Sequence, residues 1–165
     1  MTTNRTLARQ ALKDWLLDGN IPHLDDVFIA HPLRLDFTRY ASSEEFQCLI
    51  VIVFAEEGEL RFALGGEHSG MKRIDYLVSL EIYFRSLLPN PDRAVEAFDE
   101  LVDGVKVRLR EDRRLAQTDD VVWQCGEGGY GIQCDFMLPD NNNIGSEPIE
   151  HYGLMRFEIT QWIIA

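Results

Sequence analysis

The stretch "RIDYLVSLEIYFRSLLPNPDRAVEAFDELV" (residues 73–102) limits the possible folds more than any other part of the chain. Tyr76, Val78, Leu80, Ile82 and Phe84 fall on one side of a two-residue period, and Asp75, Ser79, Glu81 and Arg85 fall on the other. Alternation of that kind predicts a half-buried strand over 72–86, in an antiparallel or mixed sheet. Asn90 then suits an N-cap and Pro91 the first helical position. The helix that follows places Val95, Phe98, Leu101, Val102, Val105 and Leu109 on one stripe, which predicts that it covers the apolar face of the strand. Gly104 inside this helix costs roughly 1 kcal/mol relative to Ala.

The remaining segments fit around this unit. Residues 3–18 read as a helix with Leu7, Ala8, Ala11, Leu12, Trp15 and Leu16 on one stripe, stopped by Gly19-Asn20. Residues 20–45 include Pro32 and read as an extended excursion with a short strand at 33–39. The run 47–54 is rich in β-branched residues and reads as a buried central strand. "GELRFAL" (58–64) alternates and reads as a second strand, with "GGEHSG" (65–70) as a loop tip. "VVWQCGEGGYGIQCDFML" (121–138) reads as two strands around a glycine turn, and 139–148 as a polar loop. "YGLMRFEITQWIIA" closes the chain as a strand. At 165 residues this is expected to be one domain, 1–165, of the α+β class. Its single, mainly antiparallel or mixed sheet is packed by the N-terminal and central helices.

Charge and motif restrict the chemistry. The net charge of −12, from 16 basic and 28 acidic residues, argues against tight binding to duplex DNA. Arg5, Arg9, Lys13 and Asp14 interrupt any apolar leader, so no secretory signal is expected, and the longest apolar run, 48–55, is too short to span a membrane. Cys48, Cys125 and Cys134 are expected to be free thiols. His23, His31, His68 and His151 show no helical ligand spacing, and His68-Ser69 lacks the surroundings of a nucleophile elbow. Cys125, Cys134 and His151 do not match zinc spacing, and the acidic pairs Asp25-Asp26, Glu56-Glu57 and Asp119-Asp120 do not match a calcium loop. No catalytic residue, metal site or cofactor is therefore expected, and the chain is expected not to be an enzyme.

The order of features resembles the tail-terminator (tail-completion or neck) proteins of long-tailed bacteriophages such as lambda. The likeness rests on the helix "TLARQALKDWLL", the buried strand "CLIVIVFAEE" with the acidic, glycine-containing stretch after it, the long strand ending in "IYF...LPNP", the helix "DRAVEAFDELV" and the closing strand "RFEITQWIIA". It implies a structural protein that forms a ring with itself, typically a hexamer. The ring caps the tail tube protein, stops tube growth and joins the tail to the head–tail connector protein. DNA would pass through the lumen without tight binding. The site would be the tail–neck region of the virion, assembled in the host cytoplasm, with no membrane. A neighbouring connector, neck or minor tail protein of related fold is the alternative, and a small intracellular enzyme with a site in 20–45 and 139–148 is another.

A ring closes through heterologous contacts, so edges and hairpins must reach a neighbour. The stretch 56–71 is the candidate, through Glu56, Glu57, Glu59, Arg61, Glu67, His68 and Met71. Trp15, Tyr76, Phe98 and Trp162 are the candidate core or covering residues. In the closing strand Trp162 falls on the face opposite Phe157 and Ile159, where the N-terminal helix is expected to cover it, or else a neighbouring subunit or the tube.

Overall fold

The computed structural model describes residues 4–40, 44–63, 70–111, 117–118, 121–125, 131–137 and 148–164. In chain order the elements are α1 (Asn4–Leu17), β1 (Asp26–Phe28), α2 (Phe37–Tyr40), β2 (Phe46–Ala63), β3 (Gly70–Ser86), α3 (Pro91–Glu111), β4 (Gln117–Thr118), β5 (Val121–Cys125), β6 (Gln133–Met137) and β7 (Ile149–Ile164). The strands form one seven-stranded sheet in the order β1-β2-β3-β7-β5-β4, with β6 also paired to β7. Only β1 and β2 run parallel; every other pair is antiparallel. The chain is an α+β fold, with helices packed on a mainly antiparallel sheet.

Long strands dominate because the alternating stretch pairs along its whole length on both sides. β3 lies between β2, from Ser86 opposite Phe46 to Gly70 opposite Ala63, and β7, from Ser86 opposite Ile149 to Met71 opposite Ile164. The segments expected as separate strands at 47–54 and 58–64 are one strand of 18 residues. Its register shifts between Phe54 and Glu56, where Ala55 is the extra residue of a bulge.

Both long helices sit on one face of this sheet. Ala8, Leu12 and Leu16 of α1 and Phe98, Leu101, Val102, Val105 and Leu109 of α3 share a core with Cys48, Ile50, Ile52, Tyr76, Val78, Leu80, Ile82, Phe84, Met155, Phe157 and Ile159. α3 begins as its sequence dictates: the Asn90 Oδ1 accepts hydrogen bonds from the backbone N–H of Asp92 (3.1 Å) and Arg93 (3.3 Å). Two glycines let the layers approach. A Cβ on Gly153 would stand 3.2 Å from the Phe98 ring, and one on Gly104 would stand 2.9 Å from Pro22. The price of Gly104 in helix propensity thus allows the segment after α1 to pack on α3. Phe98 fills the space over Gly153, stacked on His151 (5.1 Å between centroids) and touching Phe84 and Phe136.

Among the described residues, one segment outside the sheet covers part of the opposite face. There the segment from Phe28 to Tyr40 folds across β2 and β3: Arg85 lies over the Phe37 ring, Phe28 meets Tyr40, and His31 reaches Glu81 at 3.3 Å. Leu49 and Val51 beneath it are fully buried.

Several expectations are corrected. The strand expected at 33–39 is absent. The strand of this region is β1, and 37–40 is a short helix. β5 and β6 do not form a hairpin, because both pair with the same edge of β7, at Ile159–Ile163 and Tyr152–Arg156. They lie end to end, as one interrupted strand. Val95 does not join the α3 core stripe, being 46% exposed, and Ala94 and Ala97 take the buried places. α1 does not cover Trp162. It packs on the face of Phe157 and Ile159, the side away from Trp162. The polar loop 139–147 and the tip 65–69 lie outside the described residues.

Candidate assembly interface

Beyond the bulge, β2 changes character. Phe46 and Cys48–Ile52 are buried, whereas Ala55, Glu56, Glu57, Gly58, Glu59, Leu60 and Arg61 are all exposed. The exposed stretch is strand, as the alternation over 58–64 predicts, and it pairs with Lys72–Leu77 of β3. Its other edge is open. β1 pairs with β2 only at Leu49–Val51, and among the described residues no strand lies beside β2 beyond that point.

The direction of the main chain on this edge follows from the register. The Cys48 N–H donates to an Asp25 carboxylate oxygen (2.8 Å) and the Cys48 carbonyl accepts from the Asp25 N–H (3.0 Å). Cys48 therefore points its peptide groups away from β3. Alternation carries that outward direction through Ile50, Ile52 and Phe54. The bulge shifts it by one, so Glu57, Glu59 and Arg61 point outward while Glu56, Gly58 and Leu60 bond to β3.

The side chains along the edge are mostly neutralised. Glu57 is paired with Arg5 of α1, whose Nε lies at 2.8 Å. Glu59 is held between Lys72 and Arg61 (2.7 Å), and those two cations keep its carboxyl below the usual range. Glu56 faces the other side of the sheet. It lines a cavity of about 310 Å³ with Leu77, Gln133, Arg156, Phe157 and Glu158, beside the gap between β5 and β6. That lining holds carboxylates and one guanidinium, which bonds Asp135 at 2.7 Å. No nucleophile stands there beside a base. Met71 is half-buried opposite Ile164, and Glu67 and His68 lie outside the described residues.

The four candidate core or covering residues separate into different roles. Tyr76 is buried, its hydroxyl donates to the Gln161 Oε1 (3.1 Å), and burial with the nearby Glu57 charge pushes its pKa up to about 12. Phe98 is buried in the core. Trp15 is half-buried against Arg108, whose guanidinium lies 3.6 Å from the ring centroid. Trp15 Nε1–H donates to the Arg108 carbonyl and Arg108 Nε–H donates to the Trp15 carbonyl. Trp162 is half-buried under the guanidinium of Arg73, its cross-strand neighbour. Sequence reasoning missed Arg5 and Lys72 as partners of the arm, the part of β2 beyond the bulge, since neither is close in sequence to the carboxylate it meets.

Cys48 is fully buried, and burial raises its thiol pKa well above the ordinary value. Cys48 and Cys134 are free. Cys125 and Cys134 pair with β7 at Ile159 and Met155. Four strand positions put their Cα atoms roughly 13 Å apart, beyond disulfide reach. Among the described residues no three His, Cys, Asp or Glu side chains converge as a metal site would require, and no helix is long and apolar enough to cross a membrane.

No protein-family model matches the chain, and no curated protein matches it. Among solved structures it is similar to the sheath/tube terminator of an extracellular contractile injection system (PVC) in the extended state, at 14% identity and a TM-score of 0.42. All of this chain is covered, and it spans 57% of that one. A likeness of this degree assigns no function.

Proposed function

We propose that this chain is a non-enzymatic structural protein of the tail-terminator type. It forms a ring, hexameric by its resemblance to the phage proteins, that seats on the last ring of a tail tube and halts its growth. The opposite surface meets a head–tail connector, which would place the protein in the tail–neck region of a virion. The observation that supports the reading is the distal half of β2. It is a stretch of exposed strand, Glu56–Arg61, whose outer edge is unpaired among the described residues. A strand left open in this way is a liability in a monomer and a means of assembly in an oligomer.

The net charge suits passage of DNA through a ring without adhesion. Because Glu57 and Glu59 are ion-paired, repulsion of phosphate would come from the chain's overall charge and not from the arm. Negative-stain imaging of the purified protein, alone and mixed with growing tail tubes, tests the proposal. Rings, and tubes that stop elongating with a ring at one end, are expected. Tubes that elongate unchanged, with the protein in solution, would contradict it.

A further inference from the structure

The two ends of the sheet are complementary in direction. β2, β3, β7 and β6 alternate strictly, each antiparallel to the next. β2 and β6 therefore run in opposite directions at the two open edges. A second copy placed beside the first by rotation would bring its β2 against β6 and continue the alternation unbroken. A symmetric pairing of two β2 strands would use the same edge twice and leave β6 uncovered.

We propose that copies of this chain join head to tail by main-chain hydrogen bonds between the outer edge of distal β2 and the outer edge of β6 in the next copy. This deepens the ring reading and rests on it. Three observations on the two edges favour a second copy as the occupant. The outward peptide groups of Glu57, Glu59 and Arg61 form a regular row, as strand addition needs. β6, at five residues, fits within distal β2, and among the described residues nothing pairs with its outer side. Leu60 is 52% exposed and Met137 is 66% exposed, and both lie on the same face of the sheet. A join that continues the sheet keeps those two apolar side chains on one side. β1 already occupies the edge at Leu49–Val51, so the join is displaced toward the distal end. Staggering of that kind is what closing a sheet into a ring requires.

Proline separates the two classes of position on β2. Arg61→Pro removes an outward N–H and leaves the ladder to β3 intact, whereas Arg61→Ala removes the side chain and keeps the N–H. Met137→Lys puts a charge on the β6 edge and leaves β2 untouched. Mass photometry and negative stain on the full chain give the readout, with thermal melts as a check that each variant folds. Wild type and R61A are expected to assemble alike. R61P and M137K are each expected to need at least about tenfold more protein to assemble, the equivalent of one lost hydrogen bond per join. Mixing R61P with M137K leaves one intact edge on each, so the mixture should stop at a dimer. Assembly of R61P and M137K at the wild-type concentration would overturn the edge join and leave the ring reading standing. A mixture that stays monomeric would overturn the head-to-tail arrangement. Wild-type protein that is monomeric at every concentration would overturn both the join and the ring.

Discussion

Phe46–Phe54 and Glu56–Ala63 belong to one strand and pair with one partner, yet only the first half behaves as part of a domain. The proximal half has α1 and α3 on one face, the Phe28–Tyr40 segment on the other, and β1 along its edge. Among the described residues the distal half is paired along one edge, to β3, and its exposed side chains are mostly charged. Hydrogen bonding to β3 is continuous across both halves apart from the bulge, so pairing does not distinguish them. Burial does. An extra residue at Ala55 marks the point where apolar side chains give way to carboxylates. One strand is thus buried along its first half and exposed along its second, although core residues Tyr76 and Ile74 of β3 lie directly opposite Glu57 and Glu59.

The largest expected effect separates the two halves by stability. Phe46→Ala in the proximal half should cost about 3–5 kcal/mol in denaturant unfolding, because Phe46 is buried, with its ring stacked on Phe84 and met edge-on by His23. Leu60→Ala on distal β2 should stay within about 0.5 kcal/mol. Equal losses would erase the distinction between the halves. The next effect tests the packing around α3. Gly104→Ala should destabilise by about 1–3 kcal/mol, although Ala is the better helix former, because its Cβ would meet Pro22 at 2.9 Å. A gain in stability would show that the 21–22 segment yields easily.

A pH-dependent effect follows from His151. Burial lowers its pKa below the ordinary 6.5, and the charge of Asp99 offsets this in part. Above pH 6.5 the folded and unfolded chains both hold the imidazole neutral. Below it the unfolded chain takes up a proton that the folded chain resists, so stability falls as pH drops from 6.5 toward the folded value. His151→Gln should flatten the slope of unfolding free energy between pH 6.5 and about 5.5, above the range where most carboxylates titrate. An unchanged slope would mean that other groups carry it. The smallest effect concerns the arm's charges. Glu57→Gln breaks the pair with Arg5 at a surface site and should change stability by less than about 1 kcal/mol. A larger loss would show that α1 props the arm.

Much of the body was legible in the sequence. The alternation over 72–86, the Asn90–Pro91 start of α3 and the apolar run at 47–54 each have a local physical cause, and each appears where that cause places it. What was not legible depends on which element meets which. The glycines at 126, 128, 129 and 131 suggested a hairpin, but β7 offers an edge long enough to take β5 and β6 in line. Trp162 on the face away from Phe157 could be read from parity, whereas the side taken by α1 could not, because the apolar stripe of a helix does not name its partner. The candidate site was proposed from its acidic run, whereas its outward peptide groups depend on the single extra residue at Ala55, which leaves no mark in composition.

Amide hydrogen exchange read residue by residue on β2, in dilute and in assembled protein, tests the central claim most directly. In dilute protein the amides of Gly58 and Leu60 should be protected by their bonds to β3, while those of Glu57, Glu59 and Arg61 exchange freely. On assembly those three should become protected as well, and the amides of the proximal half should change little. Assembly that leaves Glu57, Glu59 and Arg61 exchanging as fast as before would contradict the account.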